Sequence, residues 1–215
     1  ERREQHAESL AAAQRTSDKP SKGRNLLARV DDNARVLVAA YRNIAETVRQ
    51  KREITPAAEW LLDNTFLVEG AIRQVQTDLP AGYYSRLPAL ASQDDKGAPR
   101  VYAIARALVH DANLQLSAES VIGFTNDYQQ IAPLNLGELW ALPTMLRLTC
   151  LEVLAGALER TAPGIHAPLA IESDHELLPL LDDAERVARS IRGLSVLASI
   201  SWQDFVRRTS VIEAV

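Results

Sequence analysis

A chain of 215 residues, 47% of them hydrophobic and 24% charged, is long enough for one sizeable domain and too short for two large ones. With only 3 Phe, 5 Tyr and 3 Trp, its core has to be built from Leu, Val, Ile and Ala, a mixture that favours helices. The net charge of −4 argues against a nucleic-acid partner, since such domains need a basic surface to displace counterions from phosphates.

Residues 1–23 begin as a charged, alanine-rich helix and pass into RTSDKPSKG, so they read as an N-terminal arm and linker, with the helical domain proper at 24–215. Residues 1–55 hold 12 Lys and Arg against 8 Asp and Glu, so these first helices face either solvent or an acidic partner surface, anionic lipid headgroups included. From 24 to 52 the positions Leu26, Leu27, Val30, Ala34, Leu37, Val38, Tyr41, Ile44, Ala45 and Val48 recur at helical spacing and predict one long amphipathic helix. Thr55, Pro56 and Glu59 mark a capped helix start, and the helix is expected to run through Trp60, Phe66, Ile72 and Val75 to about Asp78, antiparallel to its predecessor. DLPAGYYSRLP reads as a turn and ASQDDKGAP as a loop, followed by short helices over 100–110 and 117–131, the latter capped by Ser117.

The stretch 133–159, PLNLGELWALPTMLRLTCLEVLAGALE, is the most apolar in the chain and is expected at its centre, kinked or restarting near Leu142 because Pro143 removes a backbone donor. A two-proline break at 161–174 precedes a further helical stretch with an interruption expected near Gly193, and Ser201 caps a last helix expected to run past the end of the sequence. No uncharged apolar run reaches the ~18–20 residues a membrane-spanning helix requires, and the chain is expected to be a piece of a longer one. The architecture predicted is all-α: a single domain of about seven or eight antiparallel helices around a central kinked helix.

Few constellations carry chemistry. Glu59 and Asp63 share a helix face and read as solvated acids near a helix start. Glu138, among Leu136, Leu139 and Trp140, is the candidate buried structural acid, with Arg100, Arg106 or Arg147 as its expected partner. His6, His110, His166 and His175 show no ligand spacing and no metal site is expected; Cys150 is a core thiol, and no glycine-rich phosphate loop occurs. Trp60, Tyr83, Tyr84, Tyr102 and Trp140 would form a sugar-stacking platform only by converging on one cleft, and Trp60, Tyr83, Tyr84, Arg100 and Tyr102 are the candidate carbohydrate or interface contacts.

Several segments, in order, carry a family resemblance: DNAR (32–35), ITPAAEWLLDN (54–64), DLPAGYY (78–84), PRVY (99–102), GELWALP (137–143) and WQDF (202–205). Together they resemble the N-terminal region of cyclic β-1,2-glucan synthases, from about residue 26 to the end, with departures across 161–190 and in the 92–98 loop. The resemblance implies a parent that is a large, multi-spanning bacterial inner-membrane enzyme polymerising and cyclising glucose from UDP-glucose with a divalent metal. The Asp-x-Asp and Gln-x-x-Arg-Trp motifs of that transferase chemistry are missing here, so no catalytic residue and no cofactor is expected in this segment. It implies a non-catalytic accessory or regulatory domain on the cytoplasmic face, partnered by other domains of the same chain. A glucan-binding module and a free-standing helical interaction domain are the alternatives.

Overall fold

The computed structural model describes residues 2–17, 26–91, 97–161, 178 and 181–211. In chain order they form α1 (Arg2–Ala13), β1 (Thr16–Ser17), α2 (Leu26–Arg49), α3 (Pro56–Asp63), α4 (Thr65–Asp78), α5 (Ala81–Tyr84), β2 (Ala89–Leu90), α6 (Arg100–Asp111), α7 (Ala118–Gln129), α8 (Leu136–Thr161), α9 (Asp183–Ser199) and α10 (Trp202–Thr209). The protein is all-α apart from the two-residue strands, which pair antiparallel with Thr16 opposite Leu90 and Ser17 opposite Ala89.

The helix at the centre is α8, packed against α2, α4, α6, α9 and α10. Neighbours on so many sides explain why its sequence is apolar nearly all round rather than along one stripe. No uncharged run in it reaches spanning length, as read from the sequence; with Arg147 and Glu152 counted in, it is long and apolar enough to cross a bilayer by length and composition, yet 89% of that window is buried inside the fold. The helix does not restart at Leu142: it runs on through Pro143, with Leu142, Pro143 and Thr144 all buried under its neighbours. Burial on every side holds the turn that the missing backbone donor weakens.

Local capping follows the sequence. Thr55 accepts from the Ala58 amide at 3.3 Å with Pro56 in the first turn, Ser117 forms a capping box with Ser120, and Ser201 caps α10. The helix expected over 56–78 is instead broken at Asn64. There Asn64 Nδ2 donates to the Trp60 carbonyl at 2.9 Å and Thr65 Oγ1 to that of Leu61 at 2.8 Å, so two adjacent side chains compete for the backbone acceptors of one turn. Gly193 does not interrupt α9. A Cβ there would lie 3.3 Å from Cys150 Sγ, so the missing side chain lets α9 approach α8. The last helix closes at Thr209, with Ser210 extended.

The N-terminal segment is not a detached arm as far as it is described. Ala7 and Ala11 of α1 are buried, α1 packs on α6 and α7, and Tyr128 donates to Gln14 at 2.7 Å. The linker over 18–25, the tip of the 92–98 loop and the two-proline break from 162 lie outside the described residues. On α2 the apolar positions divide: Leu26, Val30, Leu37, Ala40 and Ile44 enter the core, whereas Val38, Tyr41 and Val48 are exposed. Phe66, expected as a core residue of α4, is 83% exposed.

Candidate functional site

The polar interior lies along α8. Glu138 has no solvent exposure, and Arg100 grips it with two parallel hydrogen bonds, Nε to Oε1 at 2.8 Å and Nη2 to Oε2 at 2.6 Å. The same carboxylate accepts from the Asn135 amide at 3.0 Å while Asn135 Oδ1 accepts from the Glu138 amide at 2.9 Å, a reciprocal cap that starts α8. Arg100 also donates to the Pro133 carbonyl at 3.1 Å. Burial works against the charge on Arg100, but the hydrogen bonds and charge of Glu138 outweigh it and hold the guanidinium above its ordinary pKa. Of the three arginines considered for Glu138, the partner is Arg100.

Two tyrosines close this end. The Tyr83 hydroxyl donates to the Gly137 carbonyl, and its pKa is raised by burial and then by the Glu138 charge. Tyr128 is buried, and its phenol is pushed up to about 12, chiefly by desolvation. Gly137 is needed small, since a Cβ would sit 3.2 Å from the capping oxygen of Asn135.

A second buried acid lies on α8 at Glu152, 14 positions or about four turns from Glu138 and so on nearly the same face. Arg29 of α2 approaches its Oε1 at 2.9 Å, and Tyr102 donates to its Oε2 at 2.8 Å. The Arg29 and Arg106 guanidinium groups stand 5.6 and 5.8 Å from the Tyr102 ring centroid. Burial and then the Glu152 charge hold the Tyr102 phenol well above the usual range. Both carboxylates are therefore neutralised by cations on neighbouring helices. Neither has an oxygen facing an open cleft, and the arrangement ties helices together rather than presenting an acid or base.

The candidate contacts read from sequence do not assemble into one surface. Tyr83 and Arg100 come together at the start of α8. Tyr84 is half-buried, with Leu26 and Arg29 acting on its hydroxyl; Tyr102 is in the core; and Trp60 has one face under Arg192, whose guanidinium is 4.8 Å from the ring. Trp140 is exposed on α8, next to Leu136. The sequence reading missed Asn135, Arg29 and Tyr128. Asn-Leu-Gly-Glu before an apolar run is a legible capping box, and Arg29 at core spacing between Leu26 and Val30 is a legible sign of a buried pair.

A smaller polar corner lies where α1, α6 and α7 meet. His6 Nδ1 is 2.6 Å and His110 Nδ1 3.4 Å from Asp111 Oδ1. Asp111, Glu119, Ser120, Gly123, Phe124 and Asp127 line a cleft of about 150 Å³ beside it. Burial and then the charge of Glu4 raise the Asp127 carboxyl. Among the described residues no three His, Cys, Asp or Glu side chains are placed to hold a metal ion.

These features define a class: an all-helical domain whose interior charges are closed on one another around a buried central helix. No protein-family model matches the chain. Over 125 residues, 58% of its length, it is 39% identical to the cyclic beta-(1,2)-glucan synthase NdvB of Rhizobium meliloti (strain 1021), so it contains a region related to that enzyme. The matched region spans 4% of the synthase, and the chain is thus similar to a small segment of a much larger protein.

Proposed function

We propose that this chain is a non-catalytic helical domain of a cyclic β-(1,2)-glucan synthase-like protein, supporting or regulating a glucosyltransferase centre located elsewhere in the parent. The observation that carries this reading is the closed interior of α8: Glu138 and Glu152, its buried acids, are both consumed by Arg100, Arg29 and Tyr102. The relationship to a segment making up 4% of NdvB supports the choice of parent. In this reading UDP-glucose and a divalent metal belong to the parent's transferase centre, the parent lies in a bacterial inner membrane, and this domain faces the cytoplasm and contacts other domains of the same chain. A glucan-binding role has less support, because Trp60 and Tyr84 are partly buried against the core and Tyr102 lies within it.

The test has two arms. The purified chain, incubated with UDP-glucose and Mn²⁺, is expected to release no UDP above a heat-denatured control. Deleting the corresponding segment from a full-length synthase is expected to lower the yield of cyclic glucan. UDP release by the chain alone, or an undiminished yield from the deleted synthase, overturns the reading.

A further inference from the structure

Helix α2 carries two apolar seams; the fold buries one, and of the other it packs Ala34 against the core and leaves Val38, Tyr41 and Val48 exposed. The first, Leu26, Val30, Leu37, Ala40 and Ile44, is buried. The second is Ala34, Val38, Tyr41, Ala45 and Val48, spaced 4, 3, 4 and 3, which is the alternation of the d and a positions of a heptad repeat. Val38, Tyr41 and Val48 along it are 39%, 37% and 45% exposed, and Ala34 and Ala45 are half-buried. In this register Arg35, Arg42 and Arg49 all fall at position e, one per heptad, forming a basic row along the solvent edge of the seam. A shallow groove of about 290 Å³ opens there, lined by Ala34, Arg35, Val38, Ala39 and Arg42. Arg35 and Arg49 make exposed pairs with Asp32 and Glu46 one turn back, while Arg42 has no ion-pair partner among the described residues.

We infer that the outer seam of α2 docks a partner α-helix that presents apolar residues at heptad spacing flanked by a row of acidic side chains. The apolar seam from Ala34 to Val48 runs 15 residues, about 21 Å, which fits two heptads of a partner helix. The uniform sign of the arginine row selects the partner's charge, since like charges across such a seam repel and opposite ones attract. A second copy of this chain does not meet that requirement. Packed antiparallel it would set arginine row against arginine row, and packed parallel it would face the arginines with Leu37 and Ile44, which are buried. An anionic membrane fits less well, because Asp31, Asp32 and Glu46 share the outward side of α2 and the apolar strip is one seam wide.

The test uses the full chain and two synthetic helical peptides of 21 residues or so, with leucine at the a and d positions and either glutamate or lysine on both flanks. Fluorescence anisotropy is expected to show the glutamate peptide binding at least tenfold more tightly than the lysine peptide, with amide shifts mapping to residues 34–49. The triple variant R35E/R42E/R49E is expected to invert that preference, and V38S/Y41S to weaken both peptides; circular dichroism checks that each variant remains folded. Equal affinity for the two peptides overturns the inference, as does a preference untouched by the charge reversal. Binding of phosphatidylglycerol vesicles in place of the peptide also overturns it, and so does a dimer in sedimentation that V38S/Y41S dissolves.

Discussion

A carboxylate with no contact to water must find its counter-charges inside the protein, and Glu138 finds them in the two nitrogens of Arg100 and the amide of Asn135. Removing one member of such a pair leaves the other charge buried and alone, at a cost of about 3–5 kcal/mol. Glu138→Gln, which preserves the shape and the cap, is therefore expected to destabilise the chain by about that amount, and Glu138→Gln with Arg100→Met by clearly less than the two single changes added. Urea unfolding of the four proteins measures this, and additivity would mean that Glu138 and Arg100 act independently. Three other buried groups set the alkaline limit. Burial pushes Cys150 up to about 12 and Tyr128 to about 12, and raises Tyr102 too, so all three stay protonated in the fold. In the unfolded chain a cysteine loses its proton near ~8.5 and a tyrosine near ~10. Between those values and the folded ones the native state binds more protons than the unfolded one, so stability falls as pH rises. Cys150→Ala is expected to remove the part of that fall beginning near ~8.5 and to leave the part beginning near ~10, as read from urea unfolding across pH 7 to about 11.

At the scale of elements, the contact between α8 and α9 depends on Gly193 facing Cys150. A Cβ placed 3.3 Å from the sulfur forces Cys150, enclosed in the core, to give way by a few tenths of an ångström, so Gly193→Ala is expected to cost about 1–3 kcal/mol in thermal unfolding despite its better helix propensity. In the double variant with Cys150→Ala the cost of Gly193→Ala is expected to shrink; an unchanged cost would place the clash elsewhere. Helix starts were the most legible elements, since Thr55, Ser117 and Ser201 each hold an amide of the first turn and that requirement is local. The breaks were less so. Asn64 and Thr65 look like ordinary polar positions in a helix until their side chains are seen bonding the turn behind, and Gly193 looks like an interruption until Cys150 is seen beside it. Periodicity also failed to separate the two seams of α2, because burial depends on which neighbours arrive, and α8 arrives on one side only.

Across the whole molecule, helix content and the centrality of α8 followed from composition and from one apolar stretch, but the partners of buried charges did not. Arg29 and Glu152 are separated by most of the chain, and only the fold selects Arg100 over Arg106 and Arg147 for Glu138. The attachment of α1 is a case of the same kind, since a charged, alanine-rich segment gives no sign of where it docks. Its alanines Ala7 and Ala11 bury little area each, so polar ties have to fix it: His6 to Asp111 at 2.6 Å, Gln14 to Tyr128 at 2.7 Å, and the Ala91 amide to the Arg15 carbonyl at 2.9 Å beside the small sheet. The Tyr128 hydroxyl is the most consequential of these, because Gln14 is its acceptor while its other polar neighbour, Arg100, is a donor, and losing that acceptor costs about 1 kcal/mol. Gln14→Ala is expected to destabilise the chain by about that amount in thermal unfolding, and Gln14→Ala with Tyr128→Phe by clearly less than the two single changes added, since both are members of one hydrogen bond. Hydrogen exchange locates the effect: amides of α7 and α6, on which α1 packs, are expected to exchange faster in Gln14→Ala, while those of α9, which is not one of its main packing partners, keep their protection. Loss of protection spread evenly over α7 and α9 would show that α1 is bound into one cooperative unit with the entire bundle rather than held at its own corner.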